Sequence, residues 1–313
     1  MKKYLVIINP AAGGPALDKL RHDLIETLPR TLPASAYDIL LTEPGRLRLP
    51  AYDYAAVVVA GGDGTVRQTV QKLMERRIRP LLGIIPSGTG NDLARACGML
   101  GLLRGRGVAG VLDAVQRGRA AAVDVLSLNG ELFFLNYYGI GADACVAQTI
   151  NAFRARYTGR REALLHGRLL YGLAGLRRIS RRIRGPVEVC FENAAGDREC
   201  RGMPPGGRQI MVTNIASYAA GARPSSCSRM DDGLFEVTLI GSLRHWLLLH
   251  LTRFFTLPLD RAAPGIVRFQ ARRLTLTWNG GLCCQLDGET FGSSAPAPPH
   301  TIAVAGRLAL IVP

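Results

Sequence analysis

A glycine-rich turn constrains the fold of this chain more than any other feature of its sequence. The turn at 61–65, GGDGT, directly follows the apolar run YAAVVVA and directly precedes a segment with helical spacing of apolar residues. Glycines let the backbone approach an anion closely, and the first N–H groups of a helix have no partner within the helix. Asp63 would repel a phosphate unless a divalent cation lay between them. The turn therefore predicts a site for phosphate and Mg²⁺ at the end of a strand.

The first 125 residues alternate between apolar runs and helical patterns. KYLVII has the length and composition of a buried strand, and three further strands are predicted at YDILLT, YAAVVVA and LLGII. Leucines at helical spacing follow the first run, and Pro29 predicts the end of their helix. Such alternation is typical of a parallel sheet with helices on both faces. The glycine turns at 9–14, 61–65 and 86–91 would then meet at the sheet edge where ligands bind.

The pattern changes near Val123 and becomes mainly antiparallel β. Asn129-Gly130 lies between VDVLSL and ELFFLNYY and supplies the positive φ angles of a two-residue hairpin turn. Further strands are predicted at VEVCFE, RQIMVTNI, LFEVTLI, RLTLTW and CCQLDG. Helical insertions are predicted near 143–183 and 243–257.

Two domains follow from these patterns. Residues 1–124 are predicted as an α/β domain with a parallel sheet, and residues 125–298 as a mainly antiparallel β-sandwich. A proline-rich linker, SSAPAPP, leads to HTIAVAG and RLALIVP. We expect these last two runs to form a terminal hairpin over 299–313 that packs back onto the first domain.

The charge and the apolar runs limit where the protein can act. The net charge is +15, which attracts nucleic acid, anionic lipid headgroups or phosphorylated small molecules. No apolar run approaches the roughly 20 residues of a membrane-spanning helix. The N-terminal run MKKYLVII stops at Asn9-Pro10, short of a secretory signal, so a cytoplasmic protein is expected.

The seven cysteines form no CxxC pair, which argues against a disulfide scaffold or a zinc site. Buried reduced thiols are expected instead.

A basic segment lies at 154–184, with ten arginines against one acid and leucines interleaved. Two interpretations stay open: a basic amphipathic helix on an anionic lipid surface, or a solvated arginine face over a leucine core. Nucleic acid is not expected as a partner, because no helix-turn-helix or RNP-type motif is present and aromatic residues make up only 6% of the chain.

Six segments in a fixed order carry a resemblance to a known family. They are INPAAGG, GGDGT, PSGTGNDLAR, YYGIGADACV, MDDGLFEV and DGE at 287–289. GGDGT alone also resembles NAD kinases and phosphofructokinases, whereas PSGTGNDLAR followed by the late DGE resembles lipid kinases. The chain is similar to the diacylglycerol kinase catalytic family, which includes bacterial soluble lipid kinases and sphingosine and ceramide kinases. The resemblance implies a phosphofructokinase-like nucleotide domain, a C-terminal β-sandwich, and ATP with Mg²⁺ in the cleft between them.

The resemblance also implies roles for individual residues. Glu289 matches the general base of the family, and Asp287 is the next candidate for that role. Asp63 is also expected to be catalytic, as a ligand of Mg²⁺. A structural Mg²⁺ is implied at Asp232 with the backbone carbonyls of Arg229 and Leu234. The residues matching an acidic cluster near the catalytic Mg²⁺ are Asp63, Asp92 and Asp124. The ATP contacts implied are Asn9, Pro10, Gly13, Thr42, Gly61, Gly62, Asp63, Gly64, Thr65, Val66, Arg67, Gly88, Thr89 and Asn91.

One departure from the family lies beside the GGDGT turn. The family usually continues with Asn-Glu after one intervening residue, whereas Arg67-Gln68 stand here. An arginine at the start of this helix can instead reach a phosphate.

We therefore expect an ATP-dependent lipid kinase that phosphorylates the hydroxyl of a membrane lipid, such as diacylglycerol or a sphingoid-like lipid. It would attach peripherally to an anionic membrane surface, and a homodimer is also expected. Two alternatives stay open: an NAD kinase-like kinase of soluble metabolites, or a basic membrane- or nucleotide-binding homologue without turnover.

Overall fold

The architecture is given by a computed structural model that describes residues 3–10, 15–31, 33–42, 46–156, 182–183, 185–255, 257–291 and 297–313. Four parallel strands begin the larger, ten-stranded sheet in the order β2-β1-β3-β4. They are β1 (Tyr4–Ile8), β2 (Tyr37–Leu41), β3 (Ala56–Gly61) and β4 (Leu81–Pro86). The residues of β3 are all buried, as expected for a continuous apolar run with helices on both faces.

Helices connect these parallel strands. They are α1 (Pro15–Thr31), α2 (Asp63–Glu75), α3 (Asp92–Ala96) and α4 (Met99–Arg117), and a 3₁₀ turn spans Ala34–Ala36. The predicted end of α1 at Pro29 is wrong, because the helix continues to Thr31. A proline removes only one helical hydrogen bond, and here the Gln116 side chain donates to the Thr31 carbonyl at 2.8 Å, which caps the last turn from another helix.

The antiparallel part of the same sheet is centred on β16 (His300–Val312). This strand pairs parallel with β4 and antiparallel with β5 (Arg119–Leu128) and β13 (Arg273–Trp278). The sheet is completed by β6 (Leu132–Phe134), β8 (Val187–Glu192) and β9 (Arg198–Gly202).

The predicted terminal hairpin is therefore wrong. The two runs form one 13-residue strand whose register shifts between Val304 and Gly306. The strand has partners along both edges, so a local irregularity takes up the break in the pattern and the chain does not reverse.

The second sheet has six antiparallel strands in the order β12-β11-β10-β7-β14-β15. They are β7 (Tyr137–Gly141), β10 (Gln209–Thr213), β11 (Phe235–Ile240), β12 (Val267–Ala271), β14 (Cys284–Leu286) and β15 (Glu289–Thr290). Its helices are α5 (Ala142–Arg156), α6 (Leu243–Leu251) and α7 (Leu259–Ala262), and a 3₁₀ turn spans Thr252–Phe254. One apolar core joins this sheet to the antiparallel part of the first, through residues such as Phe134, Val189 and Phe235. The predicted fold class, a parallel α/β part with an antiparallel β-sandwich, is confirmed.

The hairpin at Asn129-Gly130 is present, but three residues connect its strands because Leu128 pairs with Leu132. The chain then leaves the first sheet at Leu135 and enters the second at Tyr137. Strands β9 and β12 were not predicted, since polar residues interrupt both.

The expectation of reduced thiols is wrong for four of the seven cysteines. Disulfides join Cys145 to Cys283 and Cys190 to Cys200, with Cα atoms 5.2 Å and 4.0 Å apart. Residues 190 and 200 lie opposite each other in the β8–β9 pair, which sequence spacing does not reveal. Cys97 and Cys284 are buried thiols, whereas Cys227 is exposed.

Some predictions lie outside the described residues. They concern Gly13, most of the basic segment 154–184, and residues 293–296 of the proline-rich linker. Within the described part of the chain, no helix is both long and apolar enough to cross a membrane.

Candidate active site

Two glycine turns touch backbone to backbone at the carboxyl edge of the parallel strands. A Cβ atom added to Gly62 would lie 2.9 Å from the Cα of Gly88, closer than real contacts allow. The backbone N–H of Ser87 donates to the carbonyl of Gly61 at 3.0 Å and fixes the two turns together. Glycine is needed at 62 and 88 because any side chain would separate the turns.

The second turn is closed by Asn91, which adopts a left-handed conformation with φ of 53°. Its side-chain oxygen accepts from the N–H of Gly88 at 2.8 Å, and its amide donates to the Gly88 carbonyl at 2.7 Å. Asn91 therefore shapes the turn through its own side chain, while Thr89 at the tip is exposed.

The first turn after β1 reaches the same edge. The Asn9 side chain donates to the Thr65 hydroxyl at 2.8 Å, so the turns after β1 and β3 meet. The Thr42 N–H donates to the carbonyl of Ile8, which places this buried threonine beside them. Pro10 is exposed, whereas the Val66 side chain packs into the core, so only its backbone could face a ligand.

Asp63 is the first residue of α2 and lies where the turns converge. Its carboxylate accepts hydrogen bonds from the backbone N–H groups of Asp92 and Leu93 at 3.2 and 3.3 Å, and from the Asn136 amide at 3.1 Å. Burial raises the pKa of Asp63, and the nearby Asp92 carboxylate raises it further. Two neighbouring carboxylates of this kind are stabilised by a cation.

Asp92 is almost fully buried, and its carboxylate is occupied by protein donors. It accepts from the Ser217 hydroxyl and from the backbone N–H groups of Ala220 and Gly221, the latter two at 2.9 and 3.1 Å. The Asn136 side-chain oxygen is buried without a hydrogen-bond partner among the described residues. An orphaned oxygen beside the Asp63 carboxylate fits a divalent cation, which prefers oxygen ligands.

Asp124 does not join Asp63 and Asp92 in a shared set of contacts. Its carboxylate accepts from the Gly233 N–H at 2.6 Å and from the Arg307 guanidinium at 2.5 Å. Arg307 also donates to the carbonyl of Asp231, and the neighbouring acids raise the pKa of its guanidinium.

The turn predicted to hold a structural metal is the one bound by Asp124. The Asp232 carboxylate accepts from the N–H of Leu234 at 3.0 Å, and Arg229 donates to Asp231 at 3.3 Å. The Arg307 guanidinium already supplies a positive charge at this turn, so the residues of the turn do not require a metal ion. The structural Mg²⁺ at Arg229, Asp232 and Leu234 stays a prediction.

Glu289 is presented to the glycine turns by a tight hairpin of the second sheet. Leu286 pairs with Glu289 across a two-residue turn in which Asp287 and Gly288 have φ of 49° and 82°. Asp-Gly favours this turn because both positions need positive φ. A Cβ atom added to Gly64 would lie 2.5 Å from the Glu289 carboxylate. The carboxylate thus lies directly against the GGDGT turn of the other sheet.

Asp287 anchors this hairpin. Its buried carboxylate accepts from the backbone N–H groups of Asn136 and Tyr137 at 3.2 and 2.9 Å, where the chain crosses between the sheets. Burial raises the pKa of Asp287 to about 7, although the backbone N–H groups of Tyr137 and Leu135 and the charge of Arg67 oppose the shift. With its oxygens held by the backbone, Asp287 is better suited to positioning than to proton transfer.

Arg67 forms an ion pair with Glu289. Only 16% of its side chain is exposed, and its Nε has no hydrogen-bond partner among the described residues. A guanidinium held at the first turns of α2, beside the glycine turn, is placed to contact an anionic ligand.

Asn136 and Ser217 contact Asp63 and Asp92 and were not predicted from the sequence. Neither belongs to a glycine motif. The one available signal was a buried-looking asparagine inside the apolar stretch FFLNYY, because a polar residue in a core must find a partner.

Fold and site together define a kinase-like phosphotransferase, with a phosphate-binding edge on a parallel sheet and a carboxylate supplied by an antiparallel one. The family models give the family. A model described as "Diacylglycerol kinase catalytic domain" matches residues 3–128, and one described as "Diacylglycerol kinase accessory domain" matches residues 133–290. The chain belongs to the diacylglycerol kinase family, whose kinases use ATP and usually a divalent metal.

Individual relatives agree with this assignment. The chain is 25% identical to the diacylglycerol kinase of Bacillus subtilis (strain 168), covering 95% of this chain and 92% of that protein. It is 28% identical to diacylglycerol kinase 1 of Arabidopsis thaliana over 70% of this chain, and spans about a third (32%) of that longer protein. A crystal structure of a diacylglycerol kinase from Bacillus anthracis str. Sterne has the same fold, with a TM-score of 0.69 and 24% identity over 100% of this chain and 97% of that one.

Proposed function

We propose that this protein is an ATP-dependent lipid kinase that transfers the γ-phosphoryl group to the hydroxyl of diacylglycerol or a sphingoid-like lipid, with Mg²⁺ as the divalent metal. One observation carries the proposal: the Glu289 carboxylate, on β15 of the second sheet, lies against Gly64, which follows β3 of the first sheet at the start of α2. A phosphate donor bound on one side and a proton acceptor supplied from the other are what phosphoryl transfer to an alcohol requires.

The phosphates of ATP would lie over the glycine turns at 61–65 and 86–91 and the N-terminus of α2. Close approach of the backbone and the unpaired N–H groups of the first helical turn favour an anion there. Asp63 and the Asn136 side-chain oxygen would hold Mg²⁺, which supplies charge neutralisation to the phosphates when bound. Asp92 fixes the geometry, because its backbone N–H orients Asp63 while its carboxylate anchors the loop at 217–221.

Glu289 would accept the proton of the lipid hydroxyl as the hydroxyl oxygen forms a bond to the γ-phosphorus, while the bond from that phosphorus to the bridging oxygen breaks and ADP leaves. One oxygen of this carboxylate accepts a hydrogen bond from Arg67. Contact between Arg67 and a phosphate oxygen would draw the guanidinium away and leave that oxygen available. Phosphate binding and release of the base would thereby be linked.

The two alternatives are tested together with the proposal. Diacylglycerol, ceramide and NAD are each incubated with radiolabelled ATP and Mg²⁺, and ATP binding is measured separately by calorimetry. Transfer to a lipid and not to NAD is expected. Transfer to NAD alone would favour the soluble-metabolite kinase, and ATP binding without any transfer would favour a homologue without turnover.

We also propose that the protein meets its substrate as a peripheral protein at an anionic membrane surface. The net charge of +15 supports this, because anionic headgroups attract a basic protein over about 8 Å at physiological ionic strength. The homodimer remains a prediction.

A further inference from the structure

Helix α6 (Leu243–Leu251) is apolar on two opposite sides. Trp246 and Leu249 point inward and belong to a buried cluster with Tyr218 and Leu259. Leu243, Leu247 and Leu251 recur at every fourth residue and are exposed. A surface helix normally has a polar outer face, so the outer leucines of α6 are not explained by packing within the described chain.

The apolar surface continues past the end of the helix. We define the 243–257 face by six side chains whose exposed fractions range from 37% to 74%: Leu243, Leu247, Leu251, Phe254, Phe255 and Leu257. These are six of the eleven exposed large apolar side chains in the described part of the chain. Such concentration within 15 residues marks an interaction surface rather than scattered exposure.

The charges around this face indicate what it contacts. Residues 237–259 contain no aspartate or glutamate, whereas Arg244 and Arg253 are both exposed. Apolar side chains flanked by arginines fit the boundary between anionic headgroups and acyl chains. A second copy of the chain would fit poorly, since this stretch offers no acid to pair with the arginines of its partner.

The face is connected to the candidate active site by hydrogen bonds. The Trp246 indole donates to Asp143 at 2.7 Å, and the Thr252 hydroxyl and Leu259 N–H bind the backbone of Arg223. Residues just before Arg223, in the loop at 217–221, hold the Asp92 carboxylate. Anything bound at the face is therefore attached to the element that shapes the cleft.

We infer that the 243–257 face inserts into the headgroup–acyl boundary of an anionic bilayer and orients the cleft toward the lipid substrate. The orientation rests on the proposed function, but the insertion itself does not. The arginines account for the preference for anionic lipid, and the leucines and phenylalanines account for binding that persists when salt screens the charges.

The test compares two matched double variants. Leu247→Gln/Leu251→Gln removes two side chains of the face, each 46% exposed. Ile25→Gln/Ile39→Gln is the control, because these isoleucines are 48% and 46% exposed and lie on α1 and β2. Sedimentation is measured with vesicles of mixed phosphatidylcholine and phosphatidylglycerol. The face variant should bind about tenfold more weakly than the parent, from the partial burial of two leucines, and the control should bind as the parent does.

A second measurement reports insertion without weakening the fold. Phe254→Trp places an indole at the most exposed position of the face, and brominated lipids in the vesicles should quench it. Parental binding by the face variant, or absence of quenching, would overturn the inference. Equally weakened vesicle binding by the control variant would also overturn the inference. A concentration-dependent dimer that forms in the parent and not in the face variant would overturn it too.

Kinase assays separate this inference from the proposed function. On a water-soluble short-chain diacylglycerol the face variant should match the parent, while on vesicles its rate should fall with its binding. Vesicle binding through the face without transfer to any lipid would refute the proposed function and leave the inserted surface standing.

Discussion

Replacing Glu289 by glutamine tests the assignment of the base most directly. Glu289→Gln keeps the size of the side chain and its hydrogen bonding, but the amide cannot accept the proton of a lipid hydroxyl. General-base catalysis contributes roughly 10²–10⁴-fold, which corresponds to about 3–5 kcal/mol of barrier. We expect turnover on the best lipid to fall by that factor.

The same structure predicts a small effect on stability. The Glu289 side chain is 42% exposed, and the substitution mainly removes its ion pair with Arg67. Ion pairs at such exposed positions contribute about 0–1 kcal/mol. For a chain of this size that moves the melting temperature by a few degrees at most, on the order of 2–4 °C. ATP affinity, measured by calorimetry, should not fall, because the glycine turns are untouched and loss of the ion pair leaves Arg67 free to contact a phosphate.

Glu75 provides a matched control on α2. Its side chain is 43% exposed and pairs with Lys72 at 2.8 Å, so Glu75→Gln removes a comparable ion pair far from the proposed proton transfer. It should keep parental turnover. Parental turnover in Glu289→Gln would refute the role of Glu289 as base. Loss of folding in that variant would show that the residue is structural.

Three further changes test other parts of the site and fold. Asp63→Ala should raise the Mg²⁺ concentration required for half-maximal transfer by about 10- to 100-fold, because a carboxylate ligand is removed. An unchanged Mg²⁺ titration would contradict this. Arg67→Asn should raise the KM for ATP about tenfold by removing a charged phosphate contact, and steady-state kinetics at varied ATP would show it. Burial raises the pKa of Glu236 from 4.5 to about 7, so the folded state keeps its proton to a higher pH than the unfolded chain does. The free energy of unfolding of the parent therefore decreases as pH rises through this range. At a pH of about 8, Glu236→Gln should be more stable than the parent by up to about 3 kcal/mol, measured by urea denaturation. At a pH of about 5 this gain in stability should be absent.

Local patterns in the sequence predicted most of the regular structure. The strands β1, β3 and β4 are continuous apolar runs bounded by turn residues, and the pattern of a few residues is enough to identify them. The Asp-Gly pair at 287–288 is typical of a tight turn, because few residues tolerate the positive φ angles found there. The order of the glycine turns then indicated a phosphate-binding edge and resembled one family.

Predictions failed where a distant contact outweighed the local pattern. Pro29 does not end α1, because Gln116 caps that helix from α4. A break in the apolar pattern near Gly306 predicted a reversal, yet β16 runs straight through it between strands on both edges. Likewise, Cys190 and Cys200 form a disulfide because the register of two strands places them opposite each other.

The sequence by itself determined the strand and helix types, the glycine turns and the family, since these depend on residues close together along the chain. Only the tertiary structure decided which side chains share the site. Glu289 reaches Arg67 across 222 residues, Asn136 reaches Asp63 across 73, and Asp124 binds Arg307 across 183. The first two contacts are set by how the chain crosses between two packed sheets, and the third by the pairing of β5 with β16 within one sheet. No local propensity encodes either arrangement.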